Sequence, residues 1–187
     1  MSNKVRNLLF ILLFAGIFTA CSSSQKSTSG DTGDVSSIYP AWYSPSGFSS
    51  DSASFHGFAT AISSDSTIAI ANAELQARAN LESAIAEKLE EVRISLEEDG
   101  NSVATRTDFI LALRNAHNAV QEAAIEEEGE ARSKAGYFTG YSKVSITKSE
   151  LKTLLESGFT GKTSYWNALS SSAAFTQEMN RFLLIGT

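Results

Sequence analysis

The spacing of apolar positions along this chain changes several times, and each change marks an element. Residues 8–18 are uninterruptedly apolar, whereas Ser22 to Ser37 holds one apolar side chain, Val35. Such a stretch cannot bury enough surface to offset the entropy of ordering it, so residues 21–37 read as a flexible tether. Ile38-Tyr39-Pro40-Ala41-Trp42-Tyr43 opens the ordered part, and Pro40 and Pro45, the only prolines, keep it extended. Ser54 to Ile62 reads as a strand, and Gly57 inside it predicts a close approach by another backbone. Ser63-Ser64-Asp65-Ser66 supplies N-cap chemistry for a long helix. Leu75, Ala79, Ile85, Leu89, Val92 and Leu96 then recur at helical steps. Ala69, Ala73 and Ala77 form a second, small-residue stripe suited to resting on the preceding strand, and Glu74 and Arg78 pair one turn apart.

Glu97-Glu98-Asp99-Gly100-Asn101 ends that helix, and a shorter one follows with Phe109, Leu113, Ala116 and Val120 on one side. Glu122 to Ala135 alternates weakly, with helix competing. Glu126, Glu128, Glu130, Arg132 and Lys134 share one face, and Ala123, Ile125, Ala131 and Ala135 the other. Gly136 predicts a turn, and Tyr137 to Ile146 a strand rich in aromatic and β-branched residues. Thr147-Lys148-Ser149-Glu150 is a capping box, so Leu151, Leu154 and Leu155 belong to a helix that Gly158 stops. The pattern predicts an α+β domain over 38–158, an antiparallel sheet of about three strands covered by a long Ala-rich helix and shorter ones. Residues 159–187 are then a linker and an amphipathic helix carrying Trp166, Leu169, Phe175, Met179, Phe182 and Leu183. That apolar area has two sinks: the chain's own sheet, which is the default for an amphipathic helix, or another subunit or partner, for which Trp166 and Phe182 would be the contact residues.

The first twenty residues have their own logic. Lys4 and Arg6 precede the apolar run, Thr19-Ala20 are small, and Cys21, the only cysteine, follows at once. The run is too short to cross a bilayer comfortably and has signal-peptide flanks. The segment resembles the lipobox of bacterial lipoproteins; an ordinary secretory signal with an incidental cysteine is the alternative. The resemblance implies cleavage after residue 20, a covalent lipid on Cys21 as the only added group, and attachment to a membrane through acyl chains. Ser22, in place of the aspartate that retains enteric lipoproteins in the inner membrane, implies the outer membrane, on its periplasmic or its surface face. Of the 15 Lys+Arg, two precede Cys21, and none of the 21 Asp+Glu does, leaving a net charge of −8 from Cys21 onward. That balance argues against nucleic acid as a partner and against electrostatic docking on anionic lipid.

Pro40-x-Trp42-Tyr43, Gly57-Phe58-Ala59, the alanine-rich helix from Ala69 through Ala77 to Ala84, and Gly136-Tyr137-x-x-x-Tyr141 follow one another behind the cysteine. In that order the chain resembles the LPP-twenty lipoprotein family of the bacterial cell envelope, over roughly residues 38–157. Ala59 stands where the family's first strand usually has a second glycine. The resemblance implies a helix-on-sheet domain acting through assembly or envelope contacts, with no catalytic residue to transfer.

Reactive constellations are thin. His56 and His117, the only histidines, lack metal-ligand spacing and read as a strand residue and a solvated helix residue. Gly140-Tyr141-Ser142-Lys143 lacks the second glycine of a nucleophile elbow and lies in a strand. The acidic runs Glu97-Glu98-Asp99 and Glu126-Glu127-Glu128 read as solvated surface. Trp42 and Tyr43 could stack on a sugar or peptide, but beside Pro40 they read first as a segment that packs over the sheet edge and pins the tether. The expectation is a non-enzymatic envelope lipoprotein, binding no metal, that associates with itself or with other envelope proteins. The alternative is a small-ligand module built on the aromatic cluster near Trp42.

Overall fold

The computed structural model describes residues 38–181. The tether, Cys21, Phe182 and Leu183 lie outside them. Four antiparallel strands, β1 (Phe48–Ser50), β2 (Ser54–Ser63), β3 (Ile125–Lys134) and β4 (Tyr137–Thr147), pair in the order β1-β2-β4-β3. The sheet therefore has four strands rather than three. The extra one, β1, is only three residues long and too short to carry a readable alternation. The helices are α1 (Ser66–Glu98), α2 (Thr107–Asn118), the single turn α3 (Val120–Ala123), α4 (Lys148–Gly158), α5 (Thr163–Ser170) and α6 (Ala173–Arg181).

Helix α1 starts where the Asp65 carboxylate accepts from the Thr67 and Ile68 amides at 2.8 and 3.0 Å. It ends where Gly100, at φ +78°, lets the Asn101 amide donate back to Leu96 O and its own to Glu97 O. Its buried residues are Ala69, Ala73, Ala77, Leu81, Ile85, Leu89, Val92 and Leu96. The two stripes read from the sequence are thus one, and Leu75, 67 % exposed, is not part of it. A stripe advancing four residues at a time drifts by roughly 40° per step on a helix of 3.6 residues per turn. The buried side consequently rotates along α1, facing the sheet at the N-terminal end and the other helices at the C-terminal end.

The sheet end is a contact of backbone on backbone. A Cβ at Gly57 would lie 2.3 Å from Ala77 O and 2.8 Å from the Leu81 Cβ; one at Gly140 would lie 2.2 Å from Ala69 O. The predicted approach at Gly57 is present, and Gly140 on β4 is its counterpart. At the other end Ile85, Leu89, Val92 and Leu96 join Phe109, Leu113, Val120, Leu151, Leu155 and Phe159 in one core. Thr147 caps α4 through a complete capping box. Gly158 is the last residue of α4, but its position answers another need: a Cβ there would meet the Ala116 Cβ at 2.4 Å, so it lets α4 lie on α2.

Two expectations need correcting. The C-terminal helix is two, α5 and α6, and Tyr165, Trp166, Leu169 and Phe175 are buried in the same core as Phe159. Trp166 is 8 % exposed and packs against Phe159 and Phe175, so as far as Met179 the C-terminal region completes the core instead of presenting a partner helix. Strand β3 carries a bulge between Glu126 and Glu128. The extra residue reverses the alternation. Glu128, Glu130, Arg132 and Lys134 keep one face, but Glu126 turns to the α1 side, where it senses the charges of Glu74 and Arg78. Ile125 is 60 % exposed.

Candidate functional site

Helix α1 covers one face of the sheet. On the other face the strand registers bring His56, Phe58, Thr60 and Ile62 of β2 beside Ser145, Lys143, Tyr141 and Thr139 of β4. This outer face divides into an aromatic half and a charged half.

The aromatic half is built by the segment entering the domain. Tyr43 turns back onto Pro40 O through its amide, and its ring meets Tyr39 at 5.3 Å, Tyr141 at 5.2 Å, Phe58 at 6.0 Å and Trp42 at 6.2 Å. The Tyr141 hydroxyl donates to Ile38 O at 3.1 Å, fastening the start of the described chain to the central strand. Burial pushes the Tyr43 hydroxyl above its ordinary pKa, against a hydrogen bond with Thr60 that lowers it. Trp42 and Tyr43 are thus brought together, each half-buried, on the face of the sheet; Trp166 lies apart from them, in the core. Their rings are occupied with one another and with Phe58 and Tyr141 of the two central strands, so they pack over the face of the sheet and not over its edge. Beyond them, Ile62, Ile38 and Tyr137 are 71 %, 57 % and 59 % exposed.

The charged half was not visible in the sequence. His56 is buried, and its Nε2–H donates to Asp51 Oδ2 at 3.0 Å. Its Nδ1 makes no hydrogen bond and lies 3.5 Å from Glu127 Oε2. Glu127 accepts from the Ser145 hydroxyl at 2.7 Å and pairs with Lys143 Nζ at 2.6 Å. The hydrogen bond from His56 comes first in holding the Asp51 carboxyl down at about 2, with help from the Ala53 and Ser54 amides. Burial pushes Glu127 up, but the bonds from Lys143 and Ser145 and the charges of Lys143 and His56 outweigh it and leave the carboxyl lowered. Ser145 is committed to Glu127 and is not coupled to the histidine as a nucleophile would be. The arrangement is an electrostatic staple joining the β1–β2 turn, β4 and the β3 bulge. Only the bulge and the β2–β4 register bring these five residues together, and neither leaves a local trace in the sequence.

His117 is corrected as well. Its Nδ1 lies 2.5 Å from Glu82 Oε1, with both side chains mostly buried, so it ties α2 to α1 instead of facing solvent. Among the described residues no group of three or more His, Cys, Asp or Glu is placed to hold a metal ion, and no helix is long and apolar enough to cross a membrane. An apolar cavity bounded by Phe48, Phe55, Ile85, Leu155, Phe175 and Met179 has a volume of about 30 Å³, room for one water molecule. No family model, no curated protein and no solved structure matches the chain.

Proposed function

We propose that this chain is a lipid-anchored lipoprotein of the bacterial outer membrane, and that its domain works by contact with other proteins, its own copies included, rather than by catalysis. The observation that carries the reading is the order Lys4, Arg6, an apolar run, Thr19-Ala20 and a solitary Cys21, followed by a polar tether. The resemblance to LPP-twenty lipoproteins supports it through the aromatic entry segment, the Gly57 strand and the alanine-rich helix. The folded part suits the role. Its exposed sheet face carries apolar side chains at Ile38, Ile62 and Tyr137, a feature common at partner surfaces. The small-ligand reading has less support, because the rings near Trp42 fill one another's space. Labelling with a radioactive fatty acid tests the anchor. The wild-type chain incorporates label, and Cys21→Ser yields an unlabelled, uncleaved precursor; normal labelling of that variant rules out the anchor. Sedimentation with inner-membrane markers would refute the outer-membrane assignment.

A further inference from the structure

Strand β3 closes the sheet on one side, so its outer row of backbone N–H and C=O groups faces no other strand among the described residues. Exposed edges of this kind are usually blunted by charges and bulges. β3 has both, but its charges are ordered. Glu128, Glu130, Arg132 and Lys134 lie on one face, each opposite an outer-face residue of β4: Lys143, Tyr141, Thr139 and Tyr137. Gly129, Ala131 and Ser133, all small, lie on the other face. Read outward from Ala131, the charges are negative toward the N-terminus and positive toward the C-terminus, at matching distances.

From this we infer that β3 pairs with the β3 of a second copy, antiparallel about a two-fold axis at Ala131. That register sets Glu128 opposite Lys134 and Glu130 opposite Arg132 of the other chain, and the two-fold repeats both pairs, so every charge meets its opposite. On the other face Gly129 stands opposite Ser133 and Ala131 opposite Ala131, all small side chains of the strand itself, with Ile70 of α1 and Glu126 lying over Gly129. A shift of two residues sets Glu130 or Arg132 against its own copy at the axis and leaves one kind of opposite-charge pair beside it, and a shift of one sets charged side chains against the small ones. The bulge at Glu127 ends the pairing, limiting it to residues 128–134. Arg132 pairs with Glu130 of its own strand at 2.6 Å and its guanidinium lies over the Tyr141 ring of β4, so both side chains must turn outward to meet the second copy. The result is a continuous eight-stranded sheet. The inference rests on reading the domain as an interaction module, and does not depend on the lipid.

Cross-linking tests the register, using the full chain in detergent with Cys21→Ser removing the native thiol. Residues directly opposite in an antiparallel pair have Cα atoms about 4.5–5.5 Å apart, within disulfide reach. Ala131→Cys should therefore give disulfide-linked dimers in at least tenfold higher yield than Ser133→Cys, whose two copies stand four residues out of register. Adding Glu128→Lys and Glu130→Lys to the Ala131→Cys chain should abolish the product, as should adding Arg132→Glu and Lys134→Glu. Mixing those two chains should restore it, which also establishes that both remain folded. No cross-link at Ala131→Cys, equal yields at the two positions, yields indifferent to charge reversal, or no recovery on mixing would overturn the inference. Fatty-acid labelling at Cys21 is unaffected by any of these outcomes, so the anchor and the pairing fail separately.

Discussion

The two ends of α1 are stabilised in opposite ways. Its N-terminal half lies on the sheet so closely that backbone meets backbone: Ala69, Ala73 and Ala77 above, Gly57 and Gly140 below. Its C-terminal half stands off from its neighbours and fills the gap with Ile85, Leu89, Val92 and Leu96 against Phe109, Leu155 and Phe159. The first contact depends on atoms that are absent, the second on atoms that are present. Interiors are packed near crystal density, so both fail when volume changes, but in opposite directions.

Removing residues 159–187 attacks the helical half and carries the largest expected effect. It strips Phe159, Tyr165, Trp166, Leu169 and Phe175 from the core. Each buried aromatic or leucine contributes several kcal/mol by truncation, roughly 2–5 apiece, against a total stability of about 5–15 for a domain. The shortened chain should show no cooperative thermal transition by circular dichroism. A normal transition would mean that the C-terminal region is an appendage, as its position past the capped helix first suggests.

Next comes the sheet half, where enlargement is the damaging change. Gly140→Ala places a methyl group against the Ala69 carbonyl, and Ala73→Leu overfills the same contact, so each should cost about 1–3 kcal/mol or more. The same enlargement at the exposed Leu75, Leu75→Phe, should stay within about 0.5 kcal/mol. Urea midpoints of the three variants decide the matter. Equal midpoints for Ala73→Leu and wild type would break the contrast.

The smallest effect separates the halves by acid. Asp51 belongs to the sheet side and Asp108 to the helical side, and both carboxyls are lowered to about 2. His56 is the first cause at Asp51; at Asp108 the Tyr165 hydroxyl leads and Arg106 follows. A folded pKa below the ordinary 3.8 adds stability that is fully present above that value and is lost as pH falls through about 2. Both side chains are about half exposed to water, which keeps the contributions small. Asp51→Asn and Asp108→Asn should each flatten part of the fall in urea midpoint between pH 5 and pH 2. An unchanged slope in Asp51→Asn would mean that the staple on the outer sheet face does not hold in solution.

Much of this fold is legible locally. The Asp65 cap, the Thr147–Glu150 capping box and the Gly100 terminus are short-range hydrogen-bond chemistry, and they appear where residue order places them. The close approach at Gly57 is legible too, because a glycine inside a strand has few other reasons to be there. Leu75 misleads, since helical spacing alone cannot separate a buried stripe from an apolar residue on the opposite side. Trp166 misleads for a related reason: an amphipathic helix announces that it will be covered, not by what.

Trp42 and Tyr43 are the part of the candidate surface that local sequence reveals, as an aromatic pair beside a proline. The staple of Asp51, His56, Glu127, Lys143 and Ser145 is the part it hides. Sequence alone determined the α+β class, the ends of the main helices, the acidic balance and the solitary Cys21, because these depend on composition or on neighbours within a turn or two. Tertiary structure decided the fourth strand, the rotation of the buried side along α1, the reversal of faces at Glu127 and the capture of the C-terminal helices by the core. Each of those depends on which distant backbone lies alongside. Register and drift are properties of two chain segments together, so neither segment carries them alone.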